Sequence, residues 1–356
     1  MAKKLSPSDQ ILIDEIVSDT LDMLRLSAQE RIEIFKKLKA MEAELVDILA
    51  DFNTSTEDKT RINRFLNKAG KIVDEHFVGI QQQLDLPGIA ETAAIGSLAA
   101  LELALGLDAL NMPTSDYLKS VASEVLIQGA PSADWWNGQT VDLKNKFAQQ
   151  LRLGMGAGET NQQIISRIVG RNGVPGVMET ARRNAAALVQ TSVQTVANDA
   201  RRATYDANLD IIKGIRQVST LDGHTTLTCV AYSGAEWDNE RNPINGNTLK
   251  FGNGCPRHWN CRSVDVPITK TFRELGIDID EAPTSTRASV DGQIDAGTTF
   301  NDFLKRKGTD YQNEVLGEGR ADLWRAGKIT LRDLVNGDGN PLTLDQLRAK
   351  VAKRRK

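Results

Sequence analysis

The chain has 356 residues, a net charge of −3 and 26% charged residues, which gives room for roughly two or three domains and a sizeable core. That balance excludes a broadly basic nucleic-acid coat. Its three cysteines argue against a disulfide-stapled secreted fold, since pairing would leave one thiol over.

The opening Met-Ala-Lys-Lys-Leu-Ser-Pro-Ser-Asp has no apolar core of signal-peptide length, which predicts synthesis for a cytoplasm. The first 210 residues then read almost wholly as helix. Ser27-Ala-Gln-Glu30 has the form of a capping box, and behind it Ile34, Leu38, Met41, Leu45 and Ile48 recur on one stripe. A second amphipathic helix carries Ile62, Phe65, Leu66, Ala69, Ile72, Val73 and His76 on its apolar side, so His76 reads as a core or interface residue. Pro87-Gly88 ends this helix. The alanine- and leucine-rich run that follows is interrupted by Glu91, Glu102 and Asp108, and its uncharged part is too short to span a bilayer. Its small residues predict a buried helix or a subunit contact.

Met112-Pro113-Thr-Ser-Asp opens a further helix, and Trp135-Trp136 falls in a predicted loop as a contact or a buried anchor. A helix from Val141 to Leu153 leads into Gly154-Met-Gly-Ala-Gly-Glu-Thr-Asn. This loop has no preceding strand and no Gly-Lys-Ser/Thr ending, so it reads as a linker and helix start, not a phosphate-binding loop. After a short helix from Asn161 to Val169, a long one from Glu179 to about Ala207 carries Arg182, Arg183, Arg201 and Arg202. These predict a solvated or partner-facing side.

Beyond Asn208 the period changes to two. Ile212 to Thr220 reads as a strand, the turn-rich stretch after Ser233 offers a hairpin at Asn245-Gly246, and Arg262 to Ile268 is a second strand. A looser link from Ile279 to Gly292 precedes C-terminal helices. Asn336-Gly-Asp-Gly-Asn resembles a calcium loop only superficially, having proline where that loop needs glycine and no closing glutamate. Lys350, Lys353, Arg354, Arg355 and Lys356 form a basic tail, read as solvated, with DNA or an acidic surface as its functional alternative. The predicted class is α+β and predominantly α-helical. Its parts are a helical N-terminal region (1–130), a core with a small sheet (131–275) and a C-terminal helical segment with the basic tail (276–356).

Every cysteine and two of the three histidines lie between His224 and Cys261. Cys229, Cys255, His258 and Cys261 make a Cys3His set of the kind that holds a structural zinc ion, with His224 as a spare donor. The spacing Cys255-x2-His258-x2-Cys261 suits a tight knuckle, which Gly254 and Pro256 favour. The bland alternative is three reduced core thiols beside a hydrogen-bonding histidine. A catalytic cysteine would need a third group to orient its base. A metal-dependent nuclease could draw on Asp222, His224, Glu236, Asp238, His258 and Asn260. However, His258-Trp-Asn-Cys lacks a second histidine, and four protein ligands leave no place for an activated water.

Taken together, Leu188-Val-Gln-Thr-Ser, Ser219-Thr-Leu-Asp222-Gly-His-Thr225-Thr-Leu-Thr-Cys229, Ser233-Gly234 and Pro256-Arg-His258-Trp-Asn260-Cys261-Arg262 resemble the phage Mu protein F-like minor head proteins, also called head morphogenesis proteins. The resemblance covers about Val141 to Ile268, and the stretch from Phe303 to Leu347 looks like the tail segment common in these proteins. Thr226 stands where many members have a further cysteine, and Cys261-Arg-Ser263 replaces their Cys-Arg-Cys. Cys255, at a position often proline, would replace a lost ligand. The resemblance implies a non-enzymatic assembly protein of a tailed bacteriophage, made in the host cytoplasm and packaged in the virion head near the portal vertex. It would act in procapsid assembly or genome ejection. Implied partners are the portal protein, a major capsid or scaffolding protein, and packaged DNA, for which Lys353, Arg354, Arg355 and Lys356 are the candidate contacts.

Overall fold

The computed structural model describes residues 5–354 apart from 57, 109, 172, 272, 277–285, 290, 291 and 296. The protein is α+β and predominantly helical. Its first half contains α1 (Pro7–Ala50), α2 (Lys59–Gln81), α3 (Leu86–Leu105), α4 (Ser115–Glu124), α5 (Ser132–Gly156) and α6 (Asn161–Val169). A small hairpin, β1 (Gly170–Arg171) and β2 (Val174–Pro175), precedes α7 (Val177–Asp206) and β3 (Ile212–Val218). Then come α8 (Leu227–Tyr232), β4 (Glu236–Asp238), β5 (Pro243–Ile244), β6 (Val264–Thr269) and the hairpin of β7 (Thr286–Ser289) with β8 (Gly292–Asp295). The chain ends in α9 (Phe300–Lys305), α10 (Thr309–Leu316), α11 (Glu318–Arg325), a 3-10 turn (Leu331–Leu334) and α12 (Leu344–Arg354).

Two compact units form, each discontinuous in sequence: Met1–Met23, Pro87–Ala122 and Gln194–Lys356 in one, Leu24–Leu86 and Ser123–Val193 in the other. They cut across the linear regions 1–130, 131–275 and 276–356, because α1 and α7 each contribute residues to both.

The mainly helical unit is built on the predicted stripe of α1, where Ile34, Leu38, Met41 and Leu45 are buried. Its last member is Leu49, since Ile48 is only half-buried. On α2, Phe65, Ala69, Val73, Phe77 and Ile80 form the buried face. Phe52, just after α1, stacks on Phe65 of α2 at 4.1 Å, and Phe77 of α2 meets Trp136 of α5 edge-on at 6.3 Å. Helix α5 begins at Ser132 rather than Val141, so the tryptophan pair lies in its first turns. Trp136 is a core anchor and Trp135 Nε1 donates to the Ile127 carbonyl at 2.6 Å. His76 Nε2 sits 2.8 Å from Glu44 Oε1 on α1. The glycine-rich stretch forms the end of α5 and the short turn to α6, which is capped by Thr160 with Gln163. Gly154 lies where any side chain would strike Ile164.

Ser27 starts no helix. It lies inside α1, fully buried, and its Oγ donates to the Leu24 carbonyl at 2.8 Å. A serine that bonds a preceding carbonyl can be accommodated mid-helix, and here the chain continues through the apparent cap.

The other unit surrounds an antiparallel sheet of order β5-β4-β3-β6. Ile215 at its centre lies opposite Trp237 on one side and Pro267 on the other. Strands β3 and β6 are buried along nearly their whole length, so both faces are covered. One hydrophobic cluster takes in Leu12 and Ile16 of α1, Leu101 of α3, Tyr205 of α7, Trp237 of β4, Phe303 of α9 and Leu347 of α12. The turn joining β4 to β5 spans 239–242. Asn245-Gly246, both with positive φ, makes the next turn rather than that hairpin. Helix α3 belongs to the one described stretch that is long and apolar enough to cross a membrane by length and composition, and half of that window is buried.

Three of the four α7 arginines face inward, against expectation. Arg201 is fully buried and bonds Asp19 at 2.5 Å, and a Cβ at Gly96 of α3 would crowd the same carboxylate, coming within 3.1 Å of its Oδ1. Arg202 binds Asp199 and, at 2.6 Å, Asp265. Within the mainly helical unit, Arg182 pairs with Glu42 at 2.7 Å and with Glu179. Arg183 remains exposed. The basic tail is likewise folded where it is described. Lys350 and Arg354 both reach Asp333 at 2.7 Å, which also accepts from Thr330 N at 2.9 Å. Burial alone would raise the Asp333 carboxyl, but these cations and the Thr330 bonds hold it far below the usual range. Lys353 is exposed, and Arg355 and Lys356 lie outside the described residues. In the Asn336–Asn340 loop, Asn336 Oδ1 accepts from the backbone of Asp338 and Asn340, and Asp338 pairs with Lys250 at 2.8 Å. The looser link from 279 to 292 falls largely outside the described residues, apart from the residues that β7 and β8 contribute.

Candidate metal centre

Two segments that leave the central sheet build the cysteine cluster. After β3 the chain turns at Asp222, whose Oδ1 accepts from His224 N at 2.9 Å, while the Thr225 hydroxyl donates to the Thr220 carbonyl at 2.6 Å. Thr226 then caps α8 by accepting from Cys229 N, which fixes Cys229 in the first turn with its side chain buried.

The second segment returns towards β6. Gly254 has φ +72°, and a side chain there would strike the Asp265 carboxylate and Arg202. Asp265 Oδ2 accepts from Cys255 N at 2.9 Å and from Arg202 Nη1 at 2.6 Å, so α7 braces the knuckle from below. Arg257 lies over the Tyr232 ring at 3.6 Å and donates to Gln217 Oε1 and the Phe251 carbonyl. From His258 the backbone folds back so that Cys261 N donates to the His258 carbonyl at 3.1 Å, with Asn260 at φ +60°. Arg262 then clamps Asp222 with two bonds of 2.5 and 2.7 Å, while Thr220 Oγ1 donates to the Arg262 carbonyl at 3.0 Å. The clamp ties one segment to the other.

Cys229 Sγ lies 3.2 Å from His258 Nε2 and 3.6 Å from Cys261 Sγ. The three ligand atoms lie within 4.8 Å of one another, and among the described residues this is the one group of three such side chains close enough to hold a metal ion. His258 Nδ1 sits 2.8 Å from the Trp259 carbonyl, which can only accept, so Nδ1 carries a proton and Nε2 faces the sulfurs. Cys255, fully buried, donates to Cys261 but lies outside the group of three. His224 is exposed and also lies outside it.

Hydrogen bonds from Cys229 and Cys255 outweigh burial and hold the Cys261 thiol far below the ordinary range, with His258 adding to the effect. The hydrogen bond to Cys261 and then burial push Cys229 up, while burial and then the bond to Cys261 push Cys255 up. Burial works against the charged form of His258, but the bond to Cys261 and its charge more than offset it and raise the imidazole. A soft divalent cation bound among these thiol and imidazole donors would displace their remaining protons.

The carboxylates that a nuclease could use do not converge. Asp222 is clamped by Arg262, Glu236 by Arg216 at 2.5 Å, and Asp238 accepts from Asn242. Sequence reasoning missed the Asp222–Arg262 clamp, the Thr226 cap and the Arg202–Asp265 brace. Thr-x-x-Cys ahead of a short apolar run signals the cap, whereas the brace joins residues 63 apart with no local signature. No family model, curated protein or solved structure matches this chain.

Proposed function

We propose that this chain is a non-enzymatic minor head protein of a tailed bacteriophage, of the Mu protein F-like kind, whose cysteine knuckle holds a structural zinc ion. The observation that carries the reading is the meeting of its two motif segments. Asp222 and Cys229 from one engage Arg262, His258 and Cys261 from the other. Zinc suits two thiolates and an imidazole, and Cys255, which bonds Cys261, would be the fourth donor. Binding would act as folding energy, since the ligands converge only in the folded state. The protein would be made in the host cytoplasm, sit in the virion head at the portal vertex, and contact the portal and a capsid or scaffolding protein during assembly or ejection. Packaged DNA would be a weaker partner through Lys353 and its neighbours.

The protein purified without added metal should carry about one zinc per chain by elemental analysis. Chelation or Cys261→Ser should remove the zinc and lower the melting temperature by more than about 10 °C. A metal-free preparation whose melting ignores chelators would sink the zinc reading. The assembly role is tested separately by mass spectrometry of purified particles, where the chain should be present in low copy together with the portal. Its absence from particles would overturn that role.

A further inference from the structure

The mainly helical unit carries a groove of about 660 Å³ between α1 and the stretch running from α6 into β1. Ala43 and Val46 line it on one side, and Ile165 and Val169 on the other. On the α1 rim stand Lys39 and Asp47, both exposed, and neither has an ion pair or side-chain hydrogen bond among the described residues. Their neighbours on the helix are engaged: Lys36 with Glu33, Lys37 with the Gly79 carbonyl, Glu42 with Arg182, and Glu44 with His76. On this stretch of α1 the two idle charges are therefore those that border the groove, with Arg171 of β1 a third on the opposite rim.

Lys39, Ala43 and Asp47 follow one another at intervals of four, so they share a face of α1 with the small residue at the midpoint. A twofold axis through Ala43 would set Lys39 of one copy against Asp47 of another, and Asp47 against Lys39, around an alanine–alanine crossing. A closed dimer needs such a self-complementary patch, and one carrying a single sign of charge would repel its copy. We infer that this chain pairs with a second copy of itself, antiparallel along α1 about Ala43, covering the groove. The inference is independent of the knuckle and of the phage reading.

Sedimentation equilibrium of the full chain at micromolar concentrations should show a dimer. Asp47→Lys sets lysine against lysine, and Lys39→Asp sets aspartate against aspartate. Each change should weaken dimerisation more than tenfold, and the double variant should restore it. Both positions are exposed, so each variant should still fold and melt cooperatively, losing only the concentration-dependent part of its melting temperature. Ala43→Glu, also at an exposed position, should block the crossing with both charges intact. A wild-type monomer at all concentrations, single variants that still dimerise, or a double variant no tighter than the singles would overturn the inference.

Discussion

Asp9 shows what burial does to a loosely paired carboxylate. Its Oδ1 accepts from Thr269 N at 3.2 Å, while Oδ2 stands 3.9 Å from Arg216, whose guanidinium closes on Glu236. Burial outweighs the attraction of Arg216 and the bond from Thr269, and holds the Asp9 carboxyl above its ordinary value. A group raised in this way favours the folded state fully below the unfolded value, near pH 4, and that contribution is lost as pH rises through the folded value. Asp9→Asn keeps the acceptor oxygen and removes the buried charge. Melting scanned across pH should therefore show a gain at pH 7 to 8 and no change below about pH 4, and a loss at neutral pH would contradict the sign. Asp222 is the converse case. Burial would raise it, but the clamp from Arg262 lowers it, so its contribution persists above the ordinary carboxylate range and fades in acid below it.

Helix α1 separates a local rule from its tertiary outcome. If Ser27 capped a helix, Ser27→Ala would cost about 1 kcal/mol. Because it lies mid-helix with its hydroxyl on the Leu24 carbonyl, the substitution should change stability by less than about 0.5 kcal/mol in a denaturant titration. The stripe from Ile34 to Leu45 was legible because helical period survives in the sequence. The false start at Ser27 arose because Ser-x-x-Glu satisfies the cap pattern anywhere. The cysteine cluster was legible because its members lie close in the chain, although the displacement of Cys255 and His224 from the group of three depends on Gly254, Asp265 and the Asp222 turn. The inward arginines were illegible for the opposite reason: Arg201 meets Asp19 across 182 residues. A charge with a distant partner looks the same in sequence as a solvated one.

At the scale of the whole molecule, the knuckle does not stand on the segment that contains it. The cluster around Trp237 draws Leu12 and Ile16 from the first helix, Leu101 from the third and Leu347 from the last. A fragment of residues 131–275 would leave the sheet exposed and lose these partners. It should therefore show no cooperative thermal transition even with zinc supplied, whereas the full chain melts cooperatively. A sharp transition in the fragment would show that the central sheet needs none of them. The bond from Thr269 to Asp9 spans 260 residues and so has a consequence in time. The chain emerges from the ribosome N-terminus first, and Asp9 must wait until Thr269 has been made and cleared the exit tunnel. Closing so long a loop costs entropy before any contact rewards it. The start of α1 is thus made well before its partner strand and is among the last parts of this unit to reach its place.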